Sequence, residues 1–499
     1  MEAFDKHYKY YNKYTPNDIF YGLGIENEFY FMFDKKIETT VNEIKHNHLK
    51  ERYSANNYIF FKKSELEKFY DNVKSPVELP VYMNSHALTK CDIDEEHTML
   101  YTVNKKPNPK FNGKTVFDIL KEKSDIIKNM YLKEFMFDTN SIEVISVNFY
   151  KTTVKKCINE LIENKQKLLN EFKRVFKEEK IHTKYGELMF PPHNYGLVKY
   201  TTNINNVSTC NSGTYHINIT LPTKLGIDGK ILDENTFREI HKNAIRSIQW
   251  IEPLLIACYG TPDIFSIYND KFSKCSLRCA LSRLISLGTY DTNKMISGRL
   301  ADEYICKGKK DLWYNKYHSE SGYMPPEIIG YDINYNKYKN HGIEVRIFDY
   351  FPEEYLEDVI NILLLVCDYS LEKKLGSNPS SLALPEKRQE HSSSSLALSE
   401  NKIIDPLGNI WNETMCSCIK DGSNVILNDD YVKSLEHVFN LKIIDKSVVS
   451  VLQNISDTLF KNKKSEFITN ISPNMKQPVI INYNNIANGI HKKLMLMTG

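Results

Sequence analysis

The sequence has no Cys-x-x-Cys pair. Its 10 cysteines are scattered, and Cys416 and Cys418 lack the second pair that would complete a zinc site. The spacing shows no disulfide framework either, so the cysteines read as reduced thiols of an intracellular protein. Long apolar runs are missing. The longest, Val359 to Cys367, is interrupted by Asn361 and falls well short of the roughly 20 residues that span a bilayer. The opening residues Met-Glu-Ala-Phe-Asp-Lys-His carry no signal-peptide apolar segment. No charge sign dominates: 65 basic and 63 acidic residues leave a formal net charge of +2. That balance calls for neither nucleic acid nor an anionic membrane as partner, and basic clusters such as Lys307 to Lys310 read as solvated surface. His46-Asn-His48, the one hint of a nuclease, has no finger around it and reads as surface. These absences predict a cytoplasmic protein without membrane or nucleic-acid partners, and they leave the oligomeric state open.

What is present describes a packed chain. Hydrophobic residues make up 41% and charged residues 26%. A length of 499 residues exceeds one ordinary core and fits a large domain plus a smaller one. The expected division is a large domain over 1–375, a flexible serine-rich insert over 376–401, and a small, mostly helical region over 402–499. The insert carries an internal duplication, Ser380-Ser-Leu-Ala-Leu-Pro-Glu386 recurring as Ser394-Ser-Leu-Ala-Leu-Ser-Glu400, and such segments rarely pack. Within the large domain, Ile158, Leu161, Ile162, Leu168, Leu169, Phe172, Val175 and Phe176 predict a helix from Thr152 to Lys180. Phe237, Ile240, Ala244, Ile245, Ile248, Ile251 and Leu255 predict another from Asn235 to Cys258, with Pro253 as a kink point. Strands are expected at Gly213 to Leu221 and Gly342 to Phe348, and a helix from Glu354 to Lys373. The irregular alternation of strands and helices predicts α+β, not a doubly wound parallel sheet.

Strand-like segments place chemistry on one face. In Tyr21-Gly-Leu-Gly-Ile-Glu-Asn-Glu-Phe-Tyr-Phe31, alternation puts Glu26 and Glu28 opposite an apolar face of Leu23, Ile25, Phe29 and Phe31, with Asn27 as the exception. Two carboxylates about 5 Å apart repel by roughly 3 kcal/mol at an effective dielectric near 20, and a bridging divalent cation removes that penalty. Glu143 lies inside the β-branched run of Phe135 to Val147, where a charge needs a partner or a metal. In Cys210 to Pro222, His216, Asn218 and Thr220 alternate with Tyr215, Ile217, Ile219 and Leu221. In His341-Gly-Ile-Glu-Val-Arg-Ile-Phe-Asp349, Glu344 and Arg346 share a face. Each segment alone reads more readily as a structural strand face, solvated, salt-bridged or with its histidine satisfied beside a sheet, than as a site. Gathered over one sheet, they are a set able to hold two or more Mg²⁺ ions and a triphosphate.

The order Gly-x-Glu-x-Glu, strand Glu, Ser-Gly-x-x-His, Ile-Glu-Val-Arg resembles the glutamine synthetase superfamily. Asp138, Ser141 and Glu143, the segment His216-Ile-Asn-Ile-Thr-Leu-Pro222, and the helix ending near Tyr259-Gly-Thr-Pro262 resemble its amidoligase branch, the carboxylate–amine ligases related to glutamate–cysteine ligase. The resemblance covers roughly residues 20 to 370. It implies a catalytic domain built on a largely antiparallel curved sheet with flanking helices. It also implies ATP and Mg²⁺, with Mn²⁺ as a substitute. By the same resemblance Glu26, Glu28, Glu143 and Glu344 are metal ligands, and His216 meets metal or nucleotide phosphate. Arg346 contacts the γ-phosphate, and Arg278 and Arg283 in Ser276 to Arg283 bind phosphate or carboxylate. The expected partners are a small-molecule or peptide carboxylate, glutamate or a γ-carboxyl by family analogy, and an amine. Two departures stand out. Asn218 occupies the second position of a His-x-His, leaving it to contact substrate or nucleotide, and Tyr215 stretches the glycine–histidine spacing by one residue. A guanidino kinase of similar architecture and a non-catalytic nucleotide-binding descendant are the competing readings.

Overall fold

Among the residues it describes, a computed structural model resolves the periodicities of the sequence into two sheets, a hairpin and packed helices. The structure describes residues 19–40, 76–93, 98–102, 104–138, 140–147, 153–192, 195–211, 215–224, 230–260, 289–299, 332–336, 342–348, 351–372, 406 and 408–463. The strands are β1 (Ile19–Phe29), β2 (Phe31–Thr39), β3 (Val77–Met83), β4 (Phe135–Asp138), β5 (Ser141–Ile145), β6 (Leu188–Met189), β7 (Tyr195–Tyr200), β8 (Asn203–Asn211), β9 (Tyr215–Lys224), β10 (Thr289–Asp291), β11 (Ile296–Arg299), β12 (Ile333–Tyr335) and β13 (Ile343–Val345). The α-helices are α1 (Ser85–Thr89), α2 (Val116–Lys123), α3 (Asp125–Met130), α4 (Val154–Glu179), α5 (Glu234–Tyr259), α6 (Leu356–Glu372), α7 (Asn409–Asp421), α8 (Asp429–Phe439) and α9 (Val448–Lys461).

The six-stranded sheet runs β12-β13-β9-β1-β5-β4 and is antiparallel throughout. The five-stranded sheet runs β6-β2-β3-β7-β8, with β3 and β7 its parallel pair. Strand β1 passes through Tyr30 directly into β2, so one run of chain serves both sheets. The fold is therefore α+β with mainly antiparallel sheets, as the irregular alternation predicts.

One face of the six-stranded sheet is apolar. Leu23, Ile25, Phe29, Ile142, Val144, Ile217, Ile219, Ile343 and Val345 are buried in one core cluster. Helices α4, α5 and α6 pack against these strands. Each fully buried Leu or Ile contributes about 1.5–3 kcal/mol over an exposed one. Asn27 sits on this face too, opposite Val144 and Tyr215, and its side-chain amide donates to the Glu28 carbonyl at 3.3 Å.

The helices begin where the sequence supplies caps. Thr153 accepts from the Lys156 amide at the start of α4, and Asp233 accepts from the Thr236 amide at the start of α5. Each such cap stabilises by about 1 kcal/mol. Helix α4 departs from the expected stripe at one turn. Ile162 is 39% exposed, whereas Lys165 is buried, ion-paired to Glu353 and placed over the Phe190 ring at 5.0 Å. The predicted helix at Glu354 to Lys373 forms as a 3-10 turn, Glu353–Tyr355, followed by α6. The strand expected from Gly342 to Phe348 is shortened to β13, although the Arg346 amide still bonds the Asp332 carbonyl at 2.7 Å.

Pro253 lies inside α5 and provides no N–H for the Gln249 carbonyl one turn earlier. The Trp411 indole N–H fills that place, donating to the Gln249 carbonyl at 2.7 Å. The Tyr431 hydroxyl donates to the neighbouring Trp250 carbonyl. Thus α7 completes the backbone bonding of α5, α8 adds a bond to the next carbonyl, and α7, α8 and α9 share its core cluster. The described part of the C-terminal region carries α7, α8 and α9, and it is packed onto the sheet-bearing part. The serine-rich insert lies outside the described residues.

At the other end of α5, the fully buried His241 donates from Nδ1 to the Phe237 carbonyl at 2.7 Å. Its Nε2 accepts the Leu221 amide of β9 at 3.1 Å. Gly342, at φ +69°, passes so close that an added Cβ would stand 2.6 Å from this Nε2 and 2.5 Å from the Ile219 carbonyl. Only glycine fits this approach, which delivers the chain into β13. Among the described residues, no helix is long and apolar enough to cross a membrane.

Candidate metal centre on the polar sheet face

Strand register decides which side chains meet. Residues directly opposite on antiparallel strands point to the same face. Glu26 lies opposite His216 on β9 and Ile145 on β5. Glu28 lies opposite Glu143, which in turn faces Met136. Asn218 lies opposite Gly24 on one side and Glu344 on the other, and Glu344 faces Asn334 of β12. The polar face thus collects Glu26, Glu28, Glu143, His216, Asn218, Glu344 and, immediately after β13, Arg346. The segments that supply them are separated by long stretches of sequence and are joined only by pairing.

The side chains converge on the imidazole. His216 is 2% exposed, and its Nδ1 lies 3.2 Å from Glu26 Oε2 and 3.9 Å from Glu344 Oε1. Its Nε2 lies 3.7 Å from Glu28 Oε1. A neutral imidazole carries one proton, so its tautomer sets which flank offers a lone pair. With the proton on Nε2, Nδ1 joins Glu26 and Glu344. With the proton on Nδ1, Nε2 faces Glu28. Donor atoms of Glu26, His216 and Glu344 all lie within 4.8 Å of one another.

The carboxylates are oriented by neutral donors and by one guanidinium. Asn218 Nδ2 donates to Glu26 Oε1 at 3.0 Å. Asn334 Nδ2 donates to Glu344 Oε2 at 2.7 Å. Arg346 Nη1 donates to Glu344 Oε1 at 3.1 Å. Burial opposes the charge on Arg346, but Glu344, Glu28 and Glu26 outweigh it and hold the guanidinium above its ordinary pKa. Arg346 Nε is buried without a hydrogen-bond partner.

A set of carboxylates with one imidazole suits a divalent cation. Mg²⁺ and Mn²⁺ take carboxylate oxygens, and an imidazole extends the set toward Mn²⁺ and its neighbours. The triad's donor atoms stand close enough to close on one ion with small side-chain adjustments, and their chemistry suits a divalent cation.

Among the site residues drawn from the sequence, Glu26, Glu28, His216, Asn218, Glu344 and Arg346 come together, and Glu143 joins their face by its register opposite Glu28. Arg278, Arg283, His46 and His48 lie outside the described residues. Asn218 reaches a carboxylate in this structure. Tyr215, the residue that stretches the glycine–histidine spacing, points to the apolar face, lies tilted against the Phe351 ring at 4.9 Å and donates to Glu353 at 3.3 Å. The intrusion therefore leaves the His216 side untouched. Sequence reasoning passed over Asn334. Its only signal was one polar residue between Ile333 and Tyr335, too short a run to show a period.

Fold and site together define an α+β protein whose antiparallel sheet presents a carboxylate–imidazole cluster able to hold a metal ion. The chain is 38% identical over 495 residues to "Uncharacterized protein R704" of Acanthamoeba polyphaga mimivirus, an alignment covering 97% of this chain and 82% of that protein. It belongs to the same family as that viral protein. No family model matches the sequence, and no solved structure matches it.

Proposed function

We propose that the chain is an ATP- and Mg²⁺-dependent carboxylate–amine ligase with a glutamine-synthetase-like catalytic domain of the amidoligase branch. The observation that carries this reading is the Glu26–His216–Glu344 triad with Arg346 bonded to Glu344. The sheet order also supports it, since segments noted for their order along the chain meet on one face.

Glu26, Glu28, Glu143, His216 and Glu344 would hold Mg²⁺ or Mn²⁺. When bound, the cation would neutralise phosphate charge and polarise the transferred phosphoryl group. Arg346, kept charged by its carboxylate neighbours, would meet the growing charge on the transferred group. Glu344 aims that guanidinium, and Asn218 aims Glu26. Arg278 and Arg283 keep their role from the resemblance alone, as phosphate or carboxylate contacts. In the first step an oxygen of the substrate carboxylate attacks the γ-phosphorus of ATP, and the bond to ADP breaks. In the second the amine attacks the activated carbonyl carbon, a C–N bond forms, and inorganic phosphate leaves as the amine gives up a proton. The sheet's share is positioning and charge neutralisation, the main work in phosphoryl transfer. Glutamate or a peptide γ-carboxyl is the acid that the resemblance implies. The reaction belongs in the cytoplasm, which supplies ATP and keeps thiols reduced.

The test is turnover with Mg²⁺, ATP and pooled acids and amines, following ADP and free phosphate together. Equal ADP and phosphate, dependent on both pools and reduced by orders of magnitude in Glu344→Ala, is the expected result. ADP without phosphate would identify a kinase instead. Undiminished activity in Glu344→Ala would overturn the site assignment.

A further inference from the structure

We propose that Asn334 is the positioning residue that sets the orientation of Glu344 for cation binding, an inference that rests on the cation site proposed above. Asn334 stands on the edge strand β12 directly opposite Glu344, and its amide donates to Glu344 Oε2 at 2.7 Å. Arg346 holds the other oxygen from a different direction at 3.1 Å. The two bonds fix the plane of a carboxylate whose side chain is 3% exposed. A carboxylate has about four lone-pair positions, so neither of these two bonds by itself uses up the capacity of its oxygen for a cation.

The chemistry of the donor matters. Holding a glutamate in one rotamer costs side-chain entropy, and a preformed bond removes that cost from the binding step. An ammonium at this place would orient Glu344 but also neutralise it and compete with the incoming cation. A second carboxylate would repel it. A primary amide orients without changing the charge. The same device recurs at Glu26, where the Asn218 amide holds Oε1 at 3.0 Å.

The edge strand that carries Asn334 is itself supported. Hairpin β10–β11 packs against β12. Side chains of α5 fasten that hairpin: Gln249 donates to Thr289 Oγ1 at 3.0 Å and to the Tyr290 carbonyl at 2.8 Å. Arg246 donates to Thr292 Oγ1 and Asn293 Oδ1, both at 2.8 Å. Asn334 therefore presents its amide from a braced strand.

The experiment is a calorimetric titration of the full chain with Mn²⁺ alone, alongside melting in the absence of the ion. Asn334→Leu keeps the volume and removes the donor. Asn334→Thr keeps a shorter donor on a residue that strands favour. Wild type should bind tightest, Asn334→Thr should be intermediate, and Asn334→Leu should be weaker by about 10- to 100-fold, the usual range for lost outer partners of metal ligands. Melting without the ion should be nearly the same in all three. If Asn334→Leu does not fold, Asn334→Val, which also lacks a donor and suits a strand, decides, and an affinity equal to wild type rejects the role. Wild-type binding that is lost in Glu344→Gln but unchanged in Asn334→Leu overturns the role of Asn334 and spares the cation site. Failure of the wild-type chain to bind Mn²⁺ overturns both.

Discussion

His241 links the site strands to helix α5 through a protonation state. Burial holds its pKa down at about 4, against 6.5 for an ordinary histidine, and the bond to the Phe237 carbonyl opposes that shift only in part. Its Nε2 must stay unprotonated to accept the Leu221 amide. Above pH 6.5 folded and unfolded chains both carry it neutral, and the stability that depends on it is fully present. Between pH 6.5 and about 4 the unfolded chain binds a proton that the native chain refuses, so stability falls as pH falls. The total loss is about 3 kcal/mol from this group. Urea unfolding at a series of pH values should show that slope, and His241→Gln should flatten it across this window. Equal slopes in both proteins would contradict the assignment. The same scale shows what the sequence makes legible. Alternation marks Glu26, Glu28 and Glu344 as sharing faces within their strands. It cannot state that Glu28 meets Glu143 or that Asn334 meets Glu344, because register is set by turns and by packing of the other face.

At the scale of elements, α5 carries a defect that another part of the chain repairs. Pro253 leaves the Gln249 carbonyl without its helical donor, and Trp411 of α7 supplies one. Trp411→Phe keeps most of the ring and removes that N–H, at a predicted cost of about 1–3 kcal/mol for an unsatisfied buried carbonyl. Chemical denaturation should show the loss. In a Pro253→Ala background, where the helix regains an N–H, the same substitution should cost less. An equal cost in both backgrounds would sever the link. The sequence reveals the proline and both helices but not their meeting, which is long-range. It also puts Ile162 in the α4 stripe and leaves Lys165 out. A lysine reads as solvent-facing until Glu353 and an aromatic ring surround its ammonium.

At the scale of the whole molecule, the two faces of the six-stranded sheet divide the work. Helices α4, α5 and α6 cover the apolar face and make the core. The other face is left to carboxylates, an imidazole, amides and a guanidinium drawn from β1, β5, β9, β12 and the β13 region. The α+β class and the shared face are visible in residue alternation. The second sheet is not, because its strands carry no chemical pattern that ties them together. The proposed chemistry depends on this face holding a divalent cation beside Arg346. The most direct measurement is anomalous scattering from Mn²⁺ in crystals grown with a non-hydrolysable ATP analogue. The account predicts a peak bounded by Glu26, His216 and Glu344, with the terminal phosphate toward Arg346. Crystals saturated with Mn²⁺ that show no peak at the triad, or nucleotide bound away from this face, would contradict it.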